Sequence, residues 1–319
     1  MIALALAAMM ATAPLDPGLP ALPQTAQATA AIADDTPVRL EDIEVTGRSR
    51  DSLIRSFVSE VAAPNFNRGL ARWEDAICVG TANLRAEPAQ YVVDRVSAVA
   101  QEVGLRPGQP GCAPNVIIIA TEDPSGVAAL LTRDRERAFR PGGSGMDRGG
   151  AALHRFVASQ APVRWWQVSM PTNSDTGLGA TRIAGDCRNA CTTPEDLAPL
   201  VFVMPSRLST PIVDNIFRTV VILDVDQVNR ISGRQLADYV AMITLAQIDP
   251  EADTSRYASI LNVFDAPDTA PGLTDWDKAY LEGLYEAQRT RRNLRAGRDE
   301  IARSIWRAHE RLQSAGLGD

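Results

Sequence analysis

Histidine and lysine are nearly missing from this chain. Its 319 residues hold two histidines, His154 and His309, and Lys278 is the single lysine among 32 basic side chains, the rest being arginine. A hydrolase that pairs a serine with an imidazole therefore has almost nothing to be built from. A phosphate loop of the GxxxxGK[ST] type needs a lysine behind its glycines, and the Gly-rich stretch at residues 140–153 has none. The serine elbow GxSxG also fails there, because Gly142-Gly143-Ser144-Gly145 is followed by Met146. Aromatic residues make up only 5%. No apolar run reaches the roughly 20 residues that a membrane-spanning helix needs. The formal charge is -7, so no general attraction to a nucleic-acid backbone is expected. No cofactor motif and no internal repeat appears.

What remains is an ordinary globular balance of 45% hydrophobic and 22% charged residues, which excludes a disordered or collagen-like chain. The first residues, MIALALAAMMATA, are apolar over about the length of a secretion-signal core, although the usual basic start is missing. Ala11-Thr12-Ala13 and Ala26-Gln27-Ala28 offer small-residue cleavage sites. The expected location is periplasmic or secreted, with residues 1–33 as signal peptide and leader and residues 34–48 as an extended linker. An oxidising compartment suits the four cysteines, Cys78, Cys112, Cys187 and Cys191. Locality favours Cys78–Cys112 and Cys187–Cys191 as pairs. A zinc site and free buried thiols are the alternatives.

The hydrophobic pattern reads as an α/β fold, a mixed sheet flanked by helices with a helical C-terminus. Two units are expected, an N-terminal α/β unit at residues 49–140 and a C-terminal one with terminal helices at residues 141–319. Strands are expected at residues 76–84, 115–123, 162–170 and 218–226. Helices are expected on the Leu53/Phe57/Val61, Val92/Val96/Val99/Val103 and Val127/Leu130/Leu131 stripes, and at residues 210–218. Residues 233–248 are apolar nearly all round and should form a buried helix. ILNVF at residues 260–264 reads as short and extended. Thr274 and Asp277 form a capping-box start, and Ile301, Ile305, Ala308 and Leu312 stripe a last helix. A turn-rich insertion is expected at residues 171–199.

Candidate ligand-binding residues are Arg148 beside the Gly-rich loop, which could hold an anion, and Trp165 and Trp166. Adjacent on a strand, the two tryptophans face opposite ways, one into the core and the other free to stack on a ligand. Asp175 sits in NSDTG. That segment contains the Asp-Thr-Gly of aspartic proteases without a second copy, so an Asx-type turn explains it as well. Asp224 and Asp226 share a strand face and could form an acid–base pair or a solvated strand end. His154 reads as half-buried packing and His309 as solvent-facing. The arginine run from Arg289 to Arg311 reads as a solvated helix face or a contact for an anionic partner.

Three resemblances follow from longer patterns. GLARWEDAICVGTANL, APVRWWQVSMPTNSDTG, RQLADYVAMITLAQIDP and GLTDWDKAYLEGLY resemble a family of exported Gram-negative bacterial proteins, which implies export but attaches no activity. In the C-terminal half, a strand at Val220–Asp224, the buried helix, ILNVF and LTDWDKAYLEGLY come in the order found in zincin metalloproteases of the matrixin-like kind. There a strand precedes a His-Glu-x-x-His helix, a Met-turn and a final helix. Leu273, Asp277, Leu281, Leu284 and Tyr285 fit that last helix. The resemblance implies a zincin-like C-terminal half that has lost its metal. Ala237 and Ala241 stand where the histidines would be and Asp238 where the general base would be, and no histidine lies anywhere between Gly233 and Ile248. Finally, DIEVTGR at residues 42–48 is similar to the segment with which outer-membrane receptors contact TonB, which implies a TonB contact there.

The expectation is an exported, non-catalytic α/β binding or accessory scaffold, binding a protein or small molecule in the cleft a metal once filled. A hydrolase using Asp175, Asp224, Asp226 or Asp238 is the alternative, and a TonB-linked accessory protein the third reading.

Overall fold

A computed structural model describes residues 49–141, 145–180 and 206–316. Residues 42–48, Cys187 and Cys191 lie outside them, as does most of the expected 171–199 insertion.

The frame is a four-stranded sheet in the order β2-β4-β6-β5. Strands β2 (Val79–Ala82), β4 (Val116–Thr121) and β6 (Ile212–Asp224) are parallel, and β5 (Val163–Asn173) runs antiparallel to β6 at the edge. Beside it lies a small parallel pair, β1 (Ala76–Ile77) and β3 (Arg106–Pro107). Helix α1 (Arg50–Glu60) opens the described chain. Helices α2 (Ala86–Glu102) and α7 (Gly233–Leu245) cover one face of the sheet. Helices α3 (Pro124–Asp134), α4 (Glu136–Phe139) and α5 (Gly149–Ala158) cover the other. The one-turn α6 (Val225–Val228) follows β6. The chain ends in α8 (Asp275–Glu286) and α9 (Leu294–Gly316), which pack together. The α/β class with a helical C-terminus is therefore present. Among the described residues no helix is long and apolar enough to cross a membrane.

The two-residue period of a strand explains the two cores. Val221 and Leu223 of β6 join Trp165 of β5 and the α2/α7 side, while Val220 and Ile222 join Trp166 and the α3/α5 side. Both tryptophans are buried, at 6% and 3% exposure, because both faces of β5 are covered. Trp165 Nε1 donates to Ile248 O (3.2 Å) and Trp166 Nε1 to Phe139 O (2.9 Å), so neither indole N–H is left unpaired. Burying side chains of this size stabilises by roughly 1.5–3 kcal/mol each.

Several local expectations are revised. Residues 212–218 are strand rather than helix, because β6 pairs with β5 from Ile212 to Leu223, with one irregularity at Val168/Ser169 where the register shifts by one residue past Phe217. For the same reason β5 runs three residues past Met170. The strand expected at residues 76–84 is split at Cys78 between the two sheets. There the Cys78–Cys112 disulfide ties the junction to the loop before β4. ILNVF is a 3-10 turn at Ile260–Asn262. His154 is exposed and His309 half-buried, its ring edge-on to Trp276. Gly283 lets α8 and α9 cross closely, since a Cβ there would meet the backbone N and Cα of Ile305 at 2.4 Å.

Candidate functional site

Two places bear on function, the middle of α7 and a cavity at the far end of β6. Ser232 caps α7 in a full capping box with Gln235. Gln235 also donates to Pro267 O (2.6 Å) and Ala270 O (2.8 Å), fixing the chain that leads toward α8. From Ala237 to Leu245 every residue is buried. The C-terminal carbonyls of a helix have no partner inside it, and here side chains supply them. Trp73 Nε1 donates to Thr244 O (2.9 Å), Tyr285 Oη to Leu245 O (2.9 Å), and Gln167 Nε2 to Ile243 O (3.0 Å) and Ala246 O (3.1 Å).

Asp238 is fully buried. One carboxylate oxygen accepts from Arg95 Nε of α2, and the other accepts from Leu273 N (2.9 Å). Arg234 stands 3.9 Å away. The carboxylate thus ties α2, α7 and the approach to α8 together and faces no cleft. The donor set does not fit a zincin metal. Ala237 and Ala241 have no donor atom, and both Asp238 oxygens are taken. The cleft expected around these residues is filled with side chains. Among the described residues no group of three or more His, Cys, Asp or Glu could hold a metal ion.

Asp277 is equally buried, and it anchors the turn after α7. It accepts from Ser259 Oγ (2.5 Å), Ile260 N (2.8 Å), Thr274 N (3.0 Å) and Thr274 Oγ1 (2.8 Å). Burial raises its carboxyl above the usual range, against those hydrogen bonds, which lower it.

The other carboxylates are scattered. Asp224 caps α6, accepting from Asp226 N and Gln227 N. Asp226 is exposed. Asp175 is exposed in an Asx turn, where Asn173 Oδ1 accepts from the N–H of Asp175 and of Thr176 (2.8 and 3.0 Å). Asp175 and Asp224 lie at opposite ends of the β5/β6 ladder, roughly 35 Å apart at about 3.3 Å per residue. Arg148 pairs with Asp249 (2.7 Å). With Trp165 and Trp166 it borders a cavity of about 250 Å³, so the structure gathers those three candidates and leaves Asp175 and Asp238 elsewhere.

A larger cavity, about 420 Å³, was not foreseen. It lies between the loop at residues 64–72, the start of β6, and the α8–α9 connection. Six arginines line it (Arg68, Arg72, Arg289, Arg291, Arg292 and Arg298), against one carboxylate, Asp214. The connection is held to the start of β6 by backbone bonds, Thr210 N to Thr290 O (2.9 Å) and Arg292 N to Leu208 O (3.3 Å). Arg289 donates to Asp214 O and Asn215 Oδ1, and Arg72 donates to Leu284 O beneath its cation–π contact with Tyr285. Burial, and then the neighbouring Arg289, push the Arg72 guanidinium down to about 10, so it is a cation at neutral pH. Burial also lowers Arg289. Asp214 is raised by burial and held back by Arg68, the Gly69 N–H and Arg289. Arg289 Nε and Asp214 Oδ1 are buried without a hydrogen-bond partner. The arginine run was the sequence signal for this cavity. The run reads in sequence as a solvated helix face or a contact for an anionic partner; α9 starts only at Leu294, so Arg289, Arg291 and Arg292 belong to the α8–α9 loop, Arg289 half-buried and the other two exposed.

No family model, no curated protein and no solved structure matches the chain.

Proposed function

We propose that this is an exported, non-catalytic binding protein, periplasmic or secreted, with a zincin-like C-terminal half that holds no metal centre. Its binding site is the arginine-lined cavity, and its ligand is an anion. The observation that carries this reading is the cavity itself. Six arginines and one carboxylate line about 420 Å³, with Glu74 and Glu300 the further carboxylates near them, in a chain whose formal charge is -7. Pockets of roughly 300–1,000 Å³ are the usual size for small-molecule sites. Planar guanidinium groups match carboxylate and phosphate oxygens two at a time.

Support for the zincin-like scaffold comes from the order β6, α7, turn, α8, and from the work of Asp277 and Tyr285, the polar members of the matched pattern. One anchors the turn and the other caps α7. The Cys78–Cys112 bridge supports an oxidising compartment. The test is calorimetric titration with citrate and inorganic phosphate. Binding that weakens about tenfold or more in Arg289→Gln, as expected for loss of a charge-assisted pair, supports the reading. Failure of every anion to bind sinks it, as does a stoichiometric metal whose removal abolishes a hydrolytic activity.

A further inference from the structure

The cavity is not polar throughout. Its inner wall carries the buried side chains of Leu70, Val213, Leu284 and Ile301, and its rim carries two exposed apolar groups, Phe66 at 79% and Leu294 at 42%. Leu208, 82% exposed, flanks the same rim through its carbonyl bond with Arg292 N. Isolated exposed apolar residues need no explanation, but apolar groups gathered at the mouth of a charged pocket mark a recognition surface.

Phe66 is held in place by its backbone. Its turn closes with Arg68 N donating to Asn65 O (2.9 Å), and Asn67 adopts φ 57, the left-handed conformation that asparagine takes more readily than other non-glycine residues. Asn65 beneath it is buried and donates to Ser169 Oγ (2.8 Å). From the other side Gly145, at φ 75, approaches so closely that a Cβ would sit 3.0 Å from Phe66 O and 2.8 Å from Arg68 Nε. Gly145 therefore backs the turn that displays Phe66.

We infer that the ligand is an amphiphilic organic anion, a single carboxylate or phosphate head joined to an apolar body, with the head among Arg72, Arg289 and Arg298 and the body against Phe66 and Leu294. This rests on the reading of the cavity as an anion site and adds the chemistry of the rest of the ligand. Arg298, exposed at the rim, and Arg289, which lines the wall behind it, put guanidinium groups at two depths of the same cavity. The paired cations Arg72 and Arg289 lose mutual repulsion when an anion sits between them.

The test is calorimetric titration of the full chain with acetate, inorganic phosphate, octanoate and octyl phosphate below their micelle concentrations, with octyltrimethylammonium as the cationic control. Octanoate or octyl phosphate should bind at least about tenfold tighter than its short counterpart, as burial of a few methylenes requires. The better of the two identifies the head group. Phe66→Ser should remove most of that chain-length advantage and leave acetate and phosphate unchanged. Arg289→Gln should weaken all the anions, and Arg298→Gln at the exposed rim gives the same reading should Arg289→Gln not fold. Equal binding of short and long anions, or an unchanged advantage in Phe66→Ser, overturns the inference and leaves the anion site standing. Octyltrimethylammonium binding as well as octanoate overturns it too, because apolar contact alone would then suffice. If none of the four anions binds, the inference and the cavity reading fall together.

Discussion

The middle of α7 and the arginine cavity lie in the same fold and differ in what can reach them. In α7 the carboxylate of Asp238 has a partner on each oxygen, the terminal carbonyls are capped by Trp73, Gln167 and Tyr285, and nothing faces outward. At the cavity, Arg289 Nε is buried with no hydrogen-bond partner, and six arginines line the walls, with Asp214 the one carboxylate in the lining and Glu74 and Glu300 acting from behind it. A buried polar group left unpaired costs about 1–3 kcal/mol. Thr244 Oγ1 of α7 is also buried without a partner, so hydrogen bonding alone does not separate the two regions. What separates them is access, α7 being sealed by side chains while Arg291, Arg292 and Arg298 stand open to solvent around a cavity. The sequence order points to α7 as the place where chemistry would sit, whereas the open, arginine-lined cavity points to the α8–α9 connection.

The contrast can be broken at either end, and the largest effects belong to the sealed end. Asp277→Ala leaves the turn donors of Ser259, Ile260 and Thr274 unpaired and should cost about 3–5 kcal/mol in denaturant unfolding. Its pH dependence sharpens the point. Burial raises the folded-state pKa of Asp277 above its unfolded value, so its contribution is fullest below the unfolded value and declines as pH rises through the folded one. The stability advantage of the native chain over Asp277→Asn should therefore widen as the pH is lowered from about 7 to about 4. A gap that narrows would mean that the hydrogen bonds to the ionised form outweigh burial. Replacing Cys78 and Cys112 by serine opens a loop with a sequence separation of 34 and should cost about 3–4 kcal/mol in the chain-entropy account. Asp238→Ala, which leaves Arg95 partly solvated and Leu273 N unpaired, should cost on the order of 2–4 kcal/mol. The smallest effect belongs to the cavity. Arg289→Gln should keep the stability within about 1 kcal/mol of the native chain, because relief of a buried cation offsets its lost hydrogen bonds. A loss as large as that of Asp238→Ala would make Arg289 a structural residue and remove the contrast.

Much of the fold was legible in the residues. The capping box at Thr274, the buried helix at residues 233–248 and the bridge between Cys78 and Cys112 each rest on local chemistry that needs no tertiary information. The errors have tertiary causes. Residues 212–218 were expected as helix and are strand because a long partner, β5, offers a ladder that local propensity does not encode. Trp165 and Trp166 point to opposite faces as expected, but the helices covering both faces of the edge strand bury the pair, and no one-dimensional pattern reports that second layer. The cavity was hidden for a related reason. Arg72, Asp214 and Arg289 are far apart in sequence, and they are brought together by the bridge between Arg72 and Asn215 and by the docking of residues 206–210 against 288–292. Phe66 carried a faint signal, a lone aromatic between two asparagines, which favours a turn but says nothing of what the turn displays.

The most direct measurement is amide hydrogen exchange of the full chain with and without saturating octyl phosphate, read peptide by peptide. Binding in the arginine cavity predicts new protection confined to residues 64–72, 210–215 and 287–301, with exchange across Gly233–Leu245 unchanged. Protection centred on Gly233–Leu245, with the cavity segments unaffected, would contradict it.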